Sequence, residues 1–390
     1  MNQGKYVFAQ LIEFLSHNDF FRCVAKYDGN YKVKTFTCWH QLLYMIFGQL
    51  SNRDSLSDLI TCLQSQQNKS YHLGMGKGTS KANIAKANEN RDYRIYESFA
   101  MTLVAQAQKL AIPFESFDLS IKEPVYAIDA TVIDLCLNVF WWGKFRKHKA
   151  AVKLHTMLDV KTNIPTFIYV TSGAVHDVNA LDVFPIEAGS YYIMDKGYID
   201  FSRLHRIHQS DAFYVTRAKD NFRFVRLSSQ PVDKSTGVKC DQTIRLKNKK
   251  VSLAYPDKIR RIKFYDNDIE MEFVFITNHF EISPLEIARL YKYRWTIELF
   301  FKWIKQHLKV KTFWGYSMNA VKTQVYIAMI TYLMVVIVKH QLRLKQTQYE
   351  ILQILSISLL CKTPLLDLFS NAYPQYVKEQ DTNQLNLFSL

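Results

Sequence analysis

Apolar residues recur at helical spacing through roughly the first 115 positions, then switch to strand-like alternation. Phe8, Leu11, Ile12 and Leu15 form one stripe, and Leu42, Leu43, Ile46, Phe47 and Leu50 form another. A Gly-rich break over residues 72–80 precedes a further helical pattern, with Ser80 as its cap and Leu110 near its end. The break reads as a helix-to-helix turn. It is not a phosphate-binding loop, because it lacks four residues between Gly and Gly-Lys and no apolar strand precedes it.

From Val125 the runs 125–137, 150–159 and 166–170 read as successive strands, 177–184 as a helix, and 191–194 as a fourth strand. Alternating β-rich runs such as 222–227 and 270–276 occupy residues 217–280. Ser283 and Pro284 then open a helix, as cap and first helical residue. Another helix spans about 323–345, and an apolar run at 351–360 leads into a polar tail. The expected layout is a helical region over 1–118 and an α/β core over 119–216. A β-rich insertion over 217–280, the rest of the core over 281–345 and a helical region over 346–390 follow.

Composition narrows the partners. The 390 residues allow two or three domains, and 48% hydrophobic content argues for a folded chain. The net charge of +15 favours a polyanion, nucleic acid before an anionic membrane. Residues 201–263 alone hold 16 Lys or Arg against 5 Asp or Glu. Cys23, Cys38, Cys62, Cys136, Cys240 and Cys361 are scattered without a C-x-x-C pair, which opposes a structural zinc site and a disulfide framework and suits a reducing cytoplasm. Residues 1–5 lead into an amphipathic pattern and not a signal peptide. The apolar run 325–338 is shorter than the ~20 residues a membrane helix needs, so a buried core helix and a soluble protein are expected.

The candidate chemistry sits on 291–305. On one continuous helix, Arg294, Glu298, Lys302 and Lys305 fall within about 60° of Tyr291, a single carboxylate among cations and a phenol. The same stripe also fits a solvated face with a Glu298–Lys302 ion pair. Two further acids end apolar runs: Asp129 in Val125-Tyr-Ala-Ile-Asp129, and Asp195 in Tyr191-Tyr-Ile-Met-Asp195-Lys-Gly197-Tyr198. Asp134, five positions after Asp129, points to the other face of its strand. His176 and Asp177 open the 177–184 helix, where Asp is a common cap, and His155 is a weaker candidate still. His205 and His208 lie in a basic helical segment and are expected to face solvent or DNA.

Tyr291-x2-Arg294-x3-Glu298-x6-Lys305, with Asp129 and the Asp195-x-Gly197-Tyr198 block upstream, resembles the Tyr-Arg-Glu-Lys motif and paired aspartates of IS4-family insertion-sequence transposases, over roughly residues 120–315. The resemblance implies a DDE enzyme with an RNase H-like core interrupted by a β-rich insertion between the second Asp and the Glu. The strand–helix–strand order is the one such a core requires. It also implies that Asp129, Asp195 and Glu298 hold two Mg²⁺ ions, with Mn²⁺ able to substitute. Phosphodiester chemistry without a covalent enzyme intermediate needs such hard oxygen ligands.

Tyr291, Arg294, Lys302 and Lys305 are then expected at phosphates, and Trp295 either holds a flipped base or packs in the core. Lys144, Arg146, Lys147 and Lys149 form one basic cluster for the DNA backbone, and residues 245–263 form another. Trp141 and Trp142 beside the first cluster are expected to close the sheet edge. The implied activity is cut-and-paste movement of an insertion sequence by hydrolysis, hairpin formation on the transposon end and strand transfer. The partners are double-stranded DNA at the terminal inverted repeats and target, with 1–118 as the expected DNA-binding region, and a second subunit in a homodimer, with 346–390 as the candidate contact. The setting is the bacterial cytoplasm, at the nucleoid. A transposase-derived DNA-binding protein without catalysis is the alternative.

Overall fold

The computed structural model describes residues 4–111, 117–135, 140, 142, 144–146, 149–310 and 312–370. The architecture is mixed α/β, with a helical N-terminal region packed on a large sheet. Strands β1 (Val125–Leu135), β2 (Lys144–Arg146), β3 (Lys149–Asp159), β4 (Ile164–Ser172) and β5 (Tyr191–Met194) come first. They are followed by β6 (Phe213–Arg217), β7 (Phe224–Gln230), β8 (Val238–Leu246), β9 (Ile259–Asp266) and β10 (Met271–Thr277). The sheet order is β2-β3-β1-β5-β6-β10-β9-β8-β7, with β4 on β3. Only β1–β5 and β5–β6 pair in parallel. Because β10 pairs with β6, the 217–280 segment extends the same sheet.

Alternation along the strands gives the sheet two buried faces. Val125, Ala127, Ile193 and Val215 pack with the helices Arg94–Leu110, Trp295–His307 and Met318–Gln341. Tyr126, Ile128, Tyr192, Met194 and Tyr214 pack with Leu204 and Ile207 of the helix Phe201–Gln209.

Met318–Gln341 is apolar all round, and 94% of its most apolar window is buried inside the protein. Such a helix belongs to a core. Its buried Gln324 accepts from the Trp314 N–H at 2.8 Å and donates to the carbonyls of Lys309 and Thr312 at 2.6 and 2.8 Å. That anchors the chain leaving the helix Trp295–His307.

Several elements differ from expectation. The helical pattern from Ser80 to Leu110 is two helices, Lys81–Asn90 and Arg94–Leu110. Arg91 between them is extended, and the Asp92 carboxylate accepts from the Arg94 N–H at 2.9 Å. Ser80 does cap its helix, through the Asn83 N–H. The 177–184 helix is a 3-10 helix over Asp177–Asp182, whose last carboxylate turns away to Arg203. The C-terminal helices fold back on the start of the chain, where the Val7 and Phe8 N–H groups donate to the carbonyls of Cys361 and Leu359.

Candidate active site

The site begins with strand register. Ile128 lies opposite Met194, and Met194 opposite Thr216. The next position on each of the three parallel strands is Asp129, Asp195 and Arg217, so the three side chains form one row. By parity they share the face of Ala127, Ile193 and Val215, the face that meets the helix Trp295–His307. Asp195 ends its strand and caps the turn Lys196–Tyr198, accepting from the Gly197 N–H at 3.4 Å. Asp129 remains within β1 and accepts from the Ala130 N–H at 2.8 Å.

The helix that faces this row is not continuous. Pro284–Lys292 ends in a tight turn in which the N–H groups of Tyr293 and Arg294 bond three residues back, and Trp295–His307 follows. Ser283 and Glu286 form a capping box at its start, with Pro284 inside the first turn. A 3-10 turn rotates about 120° per residue instead of 100°, so Tyr291 swings off the stripe expected for one helix. Its ring is buried against Phe275, 4.9 Å between centroids, with the Arg294 guanidinium 5.8 Å from it.

Arg294 joins the helix to the row. Its Nη2 lies 2.7 Å from Glu298 Oε1, and its Nη1 3.7 Å from Asp129 Oδ2. Glu298 thus pairs one turn back with Arg294, an i,i+4 ion pair, in place of the Lys302 pair given as an example for the solvated face. Arg217, on the row itself, donates from Nη2 to Asp195 Oδ1 at 2.8 Å. Burial pushes the Asp129 carboxyl up to about 6, reinforced by the negative charges of Glu298 and Asp195 and opposed by the Ala130 N–H and Arg294. Burial acts the same way on Asp195, but the hydrogen bond and charge of Arg217 hold it below the usual carboxylate range. The Nε of Arg294, the Nε of Arg217 and the Tyr291 hydroxyl are buried without a hydrogen-bond partner.

The structure therefore brings Asp129, Asp195, Glu298, Arg294 and Tyr291 to one locality and adds Arg217. Lys302 is exposed and Lys305 half-buried on the same helix. Trp295 is 49% exposed with the Arg294 guanidinium 5.5 Å from its ring, so it is not a core residue. Trp142 donates from Nε1 to the Tyr316 carbonyl at 2.6 Å. Lys144, Arg146 and Lys149 lie on β2 and the start of β3; Lys147, Trp141 and Cys136 fall outside the described residues.

Other candidates are placed elsewhere. His155 pairs with Ala130, so it lies on the opposite face from Asp129, fully buried, with Nε2 2.9 Å from Thr171 Oγ1. Burial pushes its imidazole down to about 4. Asp177 does not cap its helix: His176 holds that position, and the Asp177 carboxylate lies 2.9 Å from Lys153 Nζ. His205 and His208 are half-buried: Asp257 lies 3.0 Å from His205 Nε2 and Tyr255 2.9 Å from His208 Nδ1. Within the 245–263 cluster, Arg260 is buried in a pair with Asp241, whereas Arg245, Lys247, Lys249, Lys250 and Lys258 are exposed.

Arg217 is the residue that motif reasoning missed. Its signal was available, since Phe213-Tyr-Val-Thr-Arg217 is a short apolar run ending in a charge, like the runs ending in Asp129 and Asp195. Among the described residues no three potential ligands cluster as a preformed ion site, and guanidinium groups lie against the carboxylates. The donor set is nonetheless three carboxylates whose charges act on one another, which suits a hard divalent cation.

Residues 120–334 match the family described as the transposase DDE domain, and 3–76 match one described only as a domain of unknown function (DUF4372). The chain belongs to the transposase DDE domain family. Over 210 residues it is 37% identical to a putative transposase, y4zB, of Sinorhizobium fredii, covering 53% of this chain and 58% of that protein. It is 29% identical over 222 residues to a probable transposase for insertion sequence element IS5377 of Geobacillus stearothermophilus, covering 55% and 57%. A putative transposase for element IS4SA of Synechocystis is 26% identical over 272 residues, covering 66% of this chain and 71% of the relative. The chain thus spans little more than half the length of the first two relatives.

Proposed function

We propose that this chain is a DNA transposase that cuts and pastes an insertion sequence through an RNase H-like core of the IS4 type. The observation that carries the reading is Arg294 set between Asp129 and Glu298, with Asp195 beside Asp129 on the row at the ends of the parallel strands. Asp129, Asp195 and Glu298 would hold the two Mg²⁺ ions, and Mn²⁺ would substitute. The ions would supply charge neutralisation and a hydroxyl activated for in-line attack at phosphorus.

The chain's own residues bind and orient the DNA. Arg294 and Tyr291 present donors to phosphates beside the scissile bond, and the planar guanidinium suits paired phosphate oxygens. Lys302 and Lys305 extend that contact along the helix, and Lys144, Arg146, Lys147 and Lys149 form a further cluster for the DNA backbone. Trp295, exposed beside Arg294, offers its indole to an unstacked base, which returns ~1–3 kcal/mol of the cost of flipping. Water attack nicks one strand and frees a 3′-hydroxyl, which attacks the other strand, releases the 3′-hydroxyl of the flanking DNA and leaves a hairpin on the transposon end. A second water reopens it, and the 3′-hydroxyl then attacks a target phosphodiester and releases a target 3′-hydroxyl. Two subunits acting as a homodimer would bridge the two inverted repeats, in the bacterial cytoplasm at the nucleoid.

The test is cleavage of a linear duplex carrying the element's terminal repeat, in Mg²⁺, by wild type and Glu298→Gln. Hairpin-ended products from wild type alone, with end binding retained by the variant, support the reading. Wild-type binding without cleavage would make the chain a DNA-binding derivative instead.

A further inference from the structure

Arg217 shares the row of the two aspartates, yet no motif assigns it a role. Its guanidinium is half-buried against Asp195, and Arg294 is buried between Asp129 and Glu298. Each of the three carboxylates therefore already has a cationic neighbour. The two guanidinium groups are also close enough to repel, and Tyr291 lies within electrostatic reach of both.

Neither arginine uses all of its donors. Each leaves a buried Nε without a partner, and the buried Tyr291 hydroxyl beside them has none. Buried donors of this kind call for an acceptor. A phosphodiester has two non-bridging oxygens and can accept from several donors at once, whereas Asp195 and Glu298 are met through Nη alone and leave each Nε unused.

Charge decides the order of events. Three ionised carboxylates and two guanidiniums leave the site one negative charge. One divalent cation would reverse that sign and a second would worsen it. A phosphodiester that draws the guanidiniums onto itself frees carboxylate oxygens and adds negative charge in the same step.

We propose that Arg217 is a positioning residue which, together with Arg294, occupies the metal-holding carboxylates until a DNA phosphate takes over the guanidiniums, so that divalent-cation binding is coupled to DNA binding. The proposal rests on the transposase reading above. It makes the DNA-free enzyme a poor binder of the ions it needs, a safeguard against cutting before an end is seated. Coupling is reciprocal, so Mn²⁺ tightens DNA binding by the factor with which DNA tightens Mn²⁺ binding.

The experiment is a calorimetric or electron-paramagnetic-resonance titration with Mn²⁺ alone, then with Mn²⁺ plus the terminal-repeat duplex. Without DNA, Arg217→Gln binds Mn²⁺ about tenfold more tightly than wild type, as expected for removing one nearby positive charge. Arg217→Lys, which keeps the charge, stays close to wild type. The duplex tightens Mn²⁺ binding to wild type at least about tenfold and to Arg217→Gln much less. An arginine that merely braced Asp195 would give the opposite sign, weaker Mn²⁺ binding on its removal, and that result overturns the proposal. So does wild-type Mn²⁺ affinity that is indifferent to the duplex, a measurement that needs no variant to fold. Equal Mn²⁺ binding by wild type and Asp195→Asn would instead bring down the metal-site reading on which the proposal stands.

Discussion

Two arginine–aspartate sites on the same sheet make opposite uses of the same chemistry. In the 217–280 segment, Arg260 donates from Nε and Nη2 to both oxygens of Asp241 at 2.9 and 2.7 Å, and from Nη1 to the carbonyls of His279 and Ile282 at 3.2 and 2.7 Å. Both side chains are 7% exposed, and every nitrogen of the guanidinium is used. At the row of Asp129, Asp195 and Arg217, two guanidiniums are shared among three carboxylates and leave both Nε atoms unpaired. The first arrangement is complete and can only hold the fold. The second carries surplus acid and unused donors, which is the condition for taking up cations and an anion.

That contrast can be broken most sharply at Glu298. Glu298→Gln keeps size and packing but removes one carboxylate charge, so strand cleavage should fall at least about 10³-fold, read from product on a gel, while the melting temperature barely moves. Asp241→Ala should do the reverse. It leaves Arg260 buried and unpaired, costing about 3–5 kcal/mol of stability in a denaturant titration. Retention of wild-type stability there would mean that the pair is not the closed structural unit described.

Smaller effects sharpen the electrostatics. Asp129 has its folded-state carboxyl raised to about 6 above an ordinary value of 3.8, so its ionised form is the one that folding disfavours. The penalty is present above about pH 6 and disappears as the pH falls through the ordinary value. In chelator, Asp129→Asn should therefore be more stable than wild type by about 2 kcal/mol at pH 7.5. That gain should shrink to nothing by roughly pH 4, read from melting curves across the range. A gain that grew on acidification would reverse the assigned cause. Trp295→Ala, at an exposed site, should leave stability within about 0.5 kcal/mol. It should slow hairpin formation by the loss of ~1–3 kcal/mol of stacking, while the first nick is spared.

Much of the site was legible as local pattern. Asp129 and Asp195 each close an apolar run, and both emerge at corresponding positions of paired parallel strands. Ser283 and Pro284 announced a helix start, which the capping box bears out. The stripe logic on 291–305 failed in one respect, because periodicity cannot reveal a shift from four-residue to three-residue hydrogen bonds at Tyr293 and Arg294. Arg260 is withdrawn from the basic cluster, and His205 and His208 are half-buried, for a common reason. Each meets an acid or phenol from a distant segment: Asp257, Tyr255 and Asp241. Pairing over such separations leaves no mark in local composition.

The sequence by itself determined where most strands and helices form, which acids stand at strand ends, and that the chain carries a large positive charge. Those follow from residue spacing, side-chain propensity and summed charge, all local or additive properties. Only the tertiary structure decided that Arg217 joins the aspartates, that Glu298 turns to Arg294, and that β7 to β10 continue the core sheet. These depend on strand register and on which charges approach within a few ångström. Register and approach are set by packing of the whole chain, and no stretch of residues read alone contains them.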